Sequence, residues 1–455
     1  MRAKSARGRS ASMPATVVLL GLTMLACHSA SHTRYQNQSD AWERSGGVVA
    51  IEADDDRSFA GASVLDRREL IRLVLDRNPN VRAARHGWRA ALARYPQATA
   101  LDDPMLGVGV APLSFGSTTV NSAPKIDLSQ KLPFPGKLRF RGEAALGEAE
   151  AASHDYEAVR LRLATMASVL FDDYVLAARS LEINREHVAL LEEFQRIATI
   201  RYEAGEASQQ DPLQAEVRLA HAVHREVVLD TAMRITGEQL NALLHRAPTA
   251  ALPPPPAVAA TPEDPIAPAA ELLEQSLAAR PELAAAEARV SAESSRVDAA
   301  RREYYPDFTL VGSYNRVMQE PDLQPFVGVM LNVPLQIGRR RAAVDEAQAR
   351  LEQARSQRVA IEDDVRFGVQ SGADRYSEAH HVLELYRDRM LPAARDQVDA
   401  ARAGFESGRN SFLALIDAER NLLDVELGQA EALANLSRRR AELDRAVGRI
   451  PGLSW

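Results

Sequence analysis

One segment of this sequence occurs twice, and the repetition limits the folds that the chain can adopt. Residues 105–133 and residues 307–334 each contain two short stretches in which apolar and polar residues alternate, separated by a turn-forming segment. Alternation with a period of two is the pattern of a β-strand that has one apolar face. Each copy therefore predicts a pair of antiparallel strands.

The surroundings of the two strand pairs repeat as well. The motif Tyr-Glu-Ala-Gly that ends at Gly205 has its counterpart in Phe-Glu-Ser-Gly, which ends at Gly408. Landmarks that recur at one long spacing indicate a duplicated structural unit. We expect a first repeat over residues 64–246 and a second over residues 269–448, joined by a proline-rich linker over residues 247–268.

Long helical runs follow both strand pairs. An aromatic content of 5% is low for a chain of 455 residues and favours helices that pack closely through small side chains. Ile183, Leu190 and Ile197 are spaced by seven, as in the seam of a coiled coil. We expect Pro392 to interrupt one run, because proline lacks the helical hydrogen-bond donor. The long helices are predicted at residues 137–204, 209–244, 339–406 and 411–447.

The N-terminus has the pattern of a bacterial export signal. A basic head and a short apolar run predict a signal peptide over residues 1–26. Cys27 follows it and is the single cysteine of the chain, so it cannot form an internal disulfide. Met24-Leu25-Ala26-Cys27 resembles the lipobox in which the cysteine becomes acylated; the alternative is plain cleavage after a small residue. We expect residues 27–63 to be an acylated, extended lead-in, and residues 449–455 a short tail.

The second strand pair has the better-defined apolar face, a row formed by Val327, Val329, Leu331 and Val333. Tilted strands of about 9 to 11 residues cross a bilayer. Four strands cannot close a barrel, and open sheet edges are not tolerated in lipid. Copies must then join their strands, and three copies would supply twelve, a number within the range of outer-membrane barrels. The alternative is an ordinary hairpin over a soluble core.

The expected fold class is therefore mainly α with a membrane β-barrel portion. It combines a duplicated unit, long coiled-coil helices and four strands per chain in a trimer with a twelve-stranded barrel and an α-helical barrel. Such an assembly would contact outer-membrane lipid and enclose a path for passage.

Two motifs carry a resemblance to a known family. RYEAGEASQQDPLQAE (residues 201–216) and GFESGRNSFLALIDAE (residues 404–419) resemble the glycine-turned hairpin ends of the TolC family of outer-membrane efflux proteins. The resemblance extends over about residues 63–448, and LPFPGKLRFRGEA (residues 132–144) resembles its heavy-metal efflux branch. It implies a homotrimer that docks to a periplasmic adaptor protein and an inner-membrane pump of the resistance-nodulation-division type.

The family's periplasmic aperture is ringed by acidic residues. By resemblance, the aperture residues of this chain are Gly205, Asp211, Gln214, Gly408, Ala414 and Asp417. Asp417 keeps an aspartate that is common in the family, whereas Ala414 occupies the position of another. The implied acidic ring is therefore thin. The alternative for Asp211 is a first-turn acid that complements the helix macrodipole.

No other pattern points to chemistry. The formal net charge of −7 gives no indication of nucleic-acid binding. His221 and His224 share a helix face without further ligands, and the adjacent His380 and His381 point to different faces, so solvated or packed histidines are expected. We predict no catalytic, cofactor or metal site and no enzyme activity.

Two functions follow from these observations. The favoured one is a passive outer-membrane channel of a tripartite efflux pump, with energy supplied by the pump. The alternative is a periplasmic lipoprotein that acts as a coiled-coil structural or adaptor protein. An adaptor needs no lipid-facing row such as that around Leu331, so the strands distinguish the two.

Overall fold

In both halves of the chain, two strands are preceded by short helices and followed by long ones, although the number of helices differs. The computed structural model describes residues 15–46, 59, 61–112, 115–116, 118, 124–257, 266–316, 318 and 320–452, with side chains from residue 30 onward. The first half contains α1 (Ala15–Arg44), α2 (Arg67–Arg77), α3 (Pro79–Leu92), α4 (Arg94–Thr99), β1 (Met105–Gly109), β2 (Lys125–Leu132), α5 (Lys137–Glu203) and α6 (Gln210–Leu243). The second half contains α7 (Ala269–Ala279), α8 (Pro281–Arg302), β3 (Phe308–Asn315), β4 (Pro325–Leu331), α9 (Ile337–Leu385), α10 (Leu391–Glu406) and α11 (Phe412–Val447). Strands lie in both segments predicted to hold them, and long helices lie in all four predicted helical runs, the third of which is divided between α9 and α10.

The chain divides into two compact units. The sheet unit consists of residues 1–47, 85–154 and 284–359, and it contains all four strands. The hairpin unit consists of residues 48–84, 155–283 and 360–455. Within the described residues, no helix has both the length and the hydropathy that a membrane span requires.

The four strands of the sheet unit form one antiparallel sheet in the order β1-β2-β3-β4. The pairing of β2 with β3 joins the two halves of the chain and runs from Lys125 opposite Asn315 to Leu132 opposite Phe308. The expectation that Val333 belongs to the last strand is wrong, because β4 ends at Leu331. The backbone amide of Asn332 still donates to the Asp307 carbonyl at 3.1 Å. Pro334 follows and has no amide, so the pairing cannot continue.

The expected extended lead-in is also wrong over much of its length. Helix α1 continues through Cys27 to Arg44, although the side chains before residue 30 lie outside the described ones. Tyr35 stacks on Tyr95 with ring centroids 4.9 Å apart, and the Trp42 indole donates to the Arg85 carbonyl at 3.0 Å. These contacts within the sheet unit stabilise a helix that its polar sequence did not predict, because tertiary packing overrides weak propensity.

The predicted interruption at Pro392 takes the form of a π-helical turn. Residues Tyr386–Met390 form this turn between α9 and α10, and Pro392 lies in the first turn of α10, where a missing amide costs little. The Tyr386 ring lies against Gly428 of α11, where an added Cβ would approach the ring to 2.6 Å. Gly428 therefore makes room for the tyrosine, and π turns of this kind need such local accommodation.

Candidate functional site: an amphipathic sheet and two hairpin ends

One face of the sheet is apolar across all four strands. Residues opposite one another in an antiparallel register point to the same face. The register places on one face Leu106, Val108, Ile126, Leu128, Leu132, Phe308, Leu310, Val327, Val329 and Leu331. Many of them are exposed in the single chain, with Val327 86% exposed. Gln130 is a polar member of this face, and its amide donates to the Asp102 carbonyl at 2.7 Å.

The opposite face of the sheet is mainly polar. It carries Lys125, Asp127, Ser129, Lys131, Thr309, Ser313 and Asn315, together with the apolar Met105, Val311, Phe326 and Met330. Lys125 and Asp127 form an ion pair at 2.9 Å. An apolar patch of this extent marks a surface that contacts another molecule or lipid. The sheet is therefore suited to separate water on one side from an apolar medium on the other.

A buried lysine fastens the end of β2 to the start of β3. The Lys137 side chain is 3% exposed, and its Nζ lies 2.8 Å from Asp307 Oδ1 and 3.2 Å from Glu303 Oε2. The backbone amide of Phe134 also donates to Asp307 Oδ1 at 3.0 Å. A buried ammonium is tolerated only when it is paired and hydrogen-bonded. This contact, which we call the Lys137 pin, fixes where the strand pair ends and α5 begins.

Glycines end both helical hairpins of the hairpin unit, as their motifs predict. Gly205 between α5 and α6 has φ 76°, and Gly408 between α10 and α11 has φ 71°. Only glycine adopts this left-handed conformation without steric cost, which is why it follows so many helix ends. The Ser411 hydroxyl begins α11 by accepting the Ala414 amide at 3.3 Å.

The two hairpins pack against each other through a buried cluster near these ends. The cluster includes Phe194 of α5, Phe405 of α10 and Phe412 of α11. The rings of Phe405 and Phe412 lie 5.4 Å apart between centroids. The Arg201 guanidinium lies 4.7 Å from the centre of the Phe405 ring and donates to the Phe405 carbonyl at 2.8 Å. Contacts between residues this far apart in sequence join the two repeats.

The expected aperture residues have different surroundings. Asp417 and Ala414 are exposed, and Asp417 lies 3.9 Å from the Arg218 guanidinium of α6, which partly balances its charge. Asp211 lies in the first turn of α6, where an acid complements the helix dipole. Gln214 Oε1 is buried without a hydrogen-bond partner in the described structure. Their role at an aperture stays a prediction.

One buried titratable group of the hairpin unit was not predicted from the sequence. His187 of α5 is 4% exposed, with Nδ1 2.6 Å from Glu419 Oε1 and Nε2 3.0 Å from Glu426 Oε2. Burial alone would lower the pKa of His187, but the two carboxylate hydrogen bonds raise it to about 9. The imidazole is therefore charged at neutral pH and ties α5 to α11.

The sequence held a signal for the two carboxylates of this contact, but not for the histidine that binds them. Glu419 and Glu426 are seven residues apart, so they share the face of α11 that also carries the apolar seam. Carboxylates on a buried face require a cation. The Arg395 guanidinium of α10 supplies a second one, 3.4 Å from Glu426 Oε1. The four histidines that the sequence did single out are exposed, and no metal-binding group occurs among the described residues.

The fold places the protein in the class of outer-membrane channel subunits. The features that define this class are a sheet with one apolar and one polar face and a pair of long helical hairpins. A family model described as outer membrane efflux protein matches the chain twice, over residues 70–245 and 272–449. The chain belongs to this outer membrane efflux protein family, which confirms the resemblance to TolC-family channels.

Individual proteins agree with the family match. Cobalt-zinc-cadmium resistance protein CzcC of Cupriavidus metallidurans is 23% identical over 314 residues, 69% of this chain and 74% of that protein. Outer membrane protein OprJ of Pseudomonas aeruginosa is 25% identical over 468 residues, 95% of each chain. The solved outer-membrane channel OprN has a TM-score of 0.73 at 21% identity and covers 88% of this chain and 92% of its own. The protein is an outer-membrane channel component of a tripartite efflux pump.

Proposed function

We propose that three copies of this chain join their sheets into a closed twelve-stranded barrel through which substrates leave the cell. The observation that carries the proposal is the separation of apolar and polar side chains across a sheet with two open edges, β1 and β4. An unpaired backbone group in lipid costs several kcal/mol, so the edges of one chain must pair with those of other copies. The apolar face then contacts lipid, and the polar face lines a water-filled path.

Exposed apolar residues on the helices support contact between copies outside the sheet as well. Helix α6 exposes Leu213, Val217, Val223, Val227, Val228 and Ile235. A helix of the single chain that leaves so many large apolar side chains exposed gains stability when another surface covers them. We infer that the α6 helices pack against neighbouring copies, so that the hairpins enclose a helical tube in the periplasm. The aperture residues predicted from the sequence would lie at its end.

The partners of the channel are part of the proposal. We infer docking to a periplasmic adaptor and to an inner-membrane pump of the resistance-nodulation-division type. The channel is passive and has no enzyme activity of its own in this scheme. The name of CzcC refers to resistance to cobalt, zinc and cadmium. Together with the motif at residues 132–144, this likeness favours metal ions as the exported substrates.

The proposal is tested by isolating the mature protein from outer membranes in detergent. Native mass spectrometry gives the number of copies, and negative-stain imaging gives the shape. We expect a trimer with a ring-shaped barrel and a long extension, and single-channel conductance after reconstitution into planar bilayers. A water-soluble monomer or dimer without conductance would overturn the channel and favour a periplasmic coiled-coil adaptor instead.

A further inference from the structure

At the open edge of the sheet, a cation stands in a sequence position similar to that of Lys137 but lacks the acidic partner that Lys137 has. In the pin, a lysine directly after Gly136 reaches an acid directly before β3, and the two strands it joins, β2 and β3, are paired. In the second repeat, Arg339 directly follows Gly338 after β4, the strand without a partner on its outer side. The order of strand, glycine and cation is thus present in both repeats, although Gly136 precedes α5 with φ 94° and Gly338 lies inside the first turn of α9.

The cation at the open edge has no partner among the described residues of its own chain. Arg339 is exposed, and it has no hydrogen-bond or ion-pair partner in the described part of the structure. The neighbouring Arg340 differs, because its Nε donates to the Glu303 carbonyl at 2.7 Å. Among these consecutive arginines, Arg339 is the one that directly follows a glycine, as Lys137 does in the first repeat.

The other open edge of the sheet presents an acid in the matching place. Asp307 stands one residue before β3, and Asp103 stands two residues before β1. Asp103 is exposed and has no partner among the described residues. Asp102 does not offer the same free carboxylate, because it lies 3.4 Å from Lys131 Nζ.

We propose that Arg339 of one copy pairs with Asp103 of the next copy and fastens β4 of the first to β1 of the second. This inference rests on the proposed function, since it assumes that the sheet edges meet in a closed ring. In an antiparallel pairing the end of β4 meets the start of β1, which brings Arg339 and Asp103 to the same rim of the sheet. The contact is head-to-tail, so it repeats at every junction of a cyclic assembly.

The chemistry of the pair suits this position. Arginine forms two parallel hydrogen bonds to a carboxylate, which fixes geometry as well as charge. An ion pair that forms only between copies also selects the correct strand register, because a shifted edge would leave both charges unpaired. The partner of this surface is therefore a second copy of the chain.

Charge reversal tests the pair. The variants are Arg339→Asp, Asp103→Arg and the double variant, and the measurement is the trimer–monomer equilibrium in detergent by native mass spectrometry. We expect each single change to weaken assembly by about tenfold or more and the double variant to recover most of that loss. Arg341→Asp and Asp102→Arg are matched controls. Arg341 lies two residues beyond Arg339, is exposed and has no partner among the described residues, and Asp102 already pairs with Lys131.

Neutral variants keep the test decisive if reversed charges block insertion. Arg339→Gln, Asp103→Asn and their combination form a double-mutant cycle, and a coupled effect on trimer dissociation supports the pair. The proposed ion pair is wrong if the two neutral substitutions have additive effects on trimer dissociation. It is also wrong if the double charge reversal weakens assembly as much as the two single reversals combined. Neither result would contradict the trimeric channel itself. A wild-type protein that never assembles in detergent overturns the proposed function itself, and the pair with it.

Discussion

At the scale of single residues, the contact of His187 with Glu419 and Glu426 makes the stability of the hairpin unit depend on pH. The pKa of His187 is raised from 6.5 to about 9 in the folded chain. A raised histidine pKa contributes stability that is complete below pH 6.5 and is lost as the pH rises through about 9. The contribution is up to about 3 kcal/mol, because one unit of pKa corresponds to about 1.4 kcal/mol.

We therefore expect the thermal midpoint of the detergent-solubilised protein to fall between pH 6.5 and pH 10 by several degrees. Circular dichroism at 222 nm would follow the helices. His187→Gln should lower the midpoint at pH 6.5 and remove most of the pH dependence in this window. His221→Gln is the control, since His221 is exposed. An unchanged pH dependence in His187→Gln would show that another group is responsible.

This contact also shows where prediction from sequence stops at the residue scale. His187 and Glu419 are 232 positions apart. No local pattern connects them; only the packing of two hairpins does. Gly205 and Gly408 could be predicted because a helix that must turn back needs a left-handed residue within a few positions. Residue roles set by local geometry are readable in the sequence, and those set by long-range packing are not.

At the scale of elements, the sheet leads to a graded prediction. Leu331→Arg should destabilise assembly by about 2 to 4 kcal/mol if its face meets lipid near the midplane, and less if it lies near the interface. Val333→Arg should cost less, because Val333 lies beyond the end of β4. Ser313→Arg lies on the polar face and should be tolerated. Urea titration of the folded barrel in liposomes measures all three. An equal loss of unfolding free energy for Leu331→Arg and Ser313→Arg would contradict the assignment of the apolar face to lipid.

The junction between α9 and α10 gives a second prediction at this scale. Gly428→Ala adds a methyl group where a Cβ would lie 2.6 Å from the Tyr386 ring, so the π turn or the tyrosine must move. Overpacking of this kind costs about 1 to 3 kcal/mol. Thermal unfolding should show the loss, and Tyr386→Ala in the same chain should recover part of it. Gly237→Ala is the control, because its nearest neighbour would be 3.7 Å away.

The elements themselves were largely predictable, for a physical reason. The period-two alternation of the strands and the seven-residue seam of α5 are local consequences of which side chains must be buried. The C-terminal half of α1 could not be predicted in this way, because residues 28–44 are held in a helix by tertiary contacts such as the stacking of Tyr35 on Tyr95. The π turn was predicted only as a break in the helix, because the partly buried Tyr386 ring that it accommodates packs against a different helix, α11.

At the scale of the whole molecule, the proposed acyl anchor at Cys27 and the proposed barrel would be two separate attachments to the membrane. If Cys27 is acylated, the mature protein begins at that residue and carries the mass of its acyl chains. Each buried methylene contributes about 0.8 kcal/mol, so several chains anchor a protein stably. The apolar face of the sheet would bury ten large side chains per copy in lipid. This burial would contribute more to the free energy of membrane binding than the acyl chains do.

Cys27→Ser should therefore abolish the acyl mass without preventing assembly. Mass spectrometry of the mature N-terminus reads the modification, and native mass spectrometry reads the trimer. We expect wild-type protein to show acylated Cys27, and Cys27→Ser to show none while still forming trimers, because in the proposed assembly the paired sheet edges, rather than the lipid, hold the copies together. Unmodified Cys27 in the wild type would indicate plain cleavage of the signal peptide. Loss of trimers in Cys27→Ser would mean that the anchor is needed to bring the sheets into the membrane before they can close.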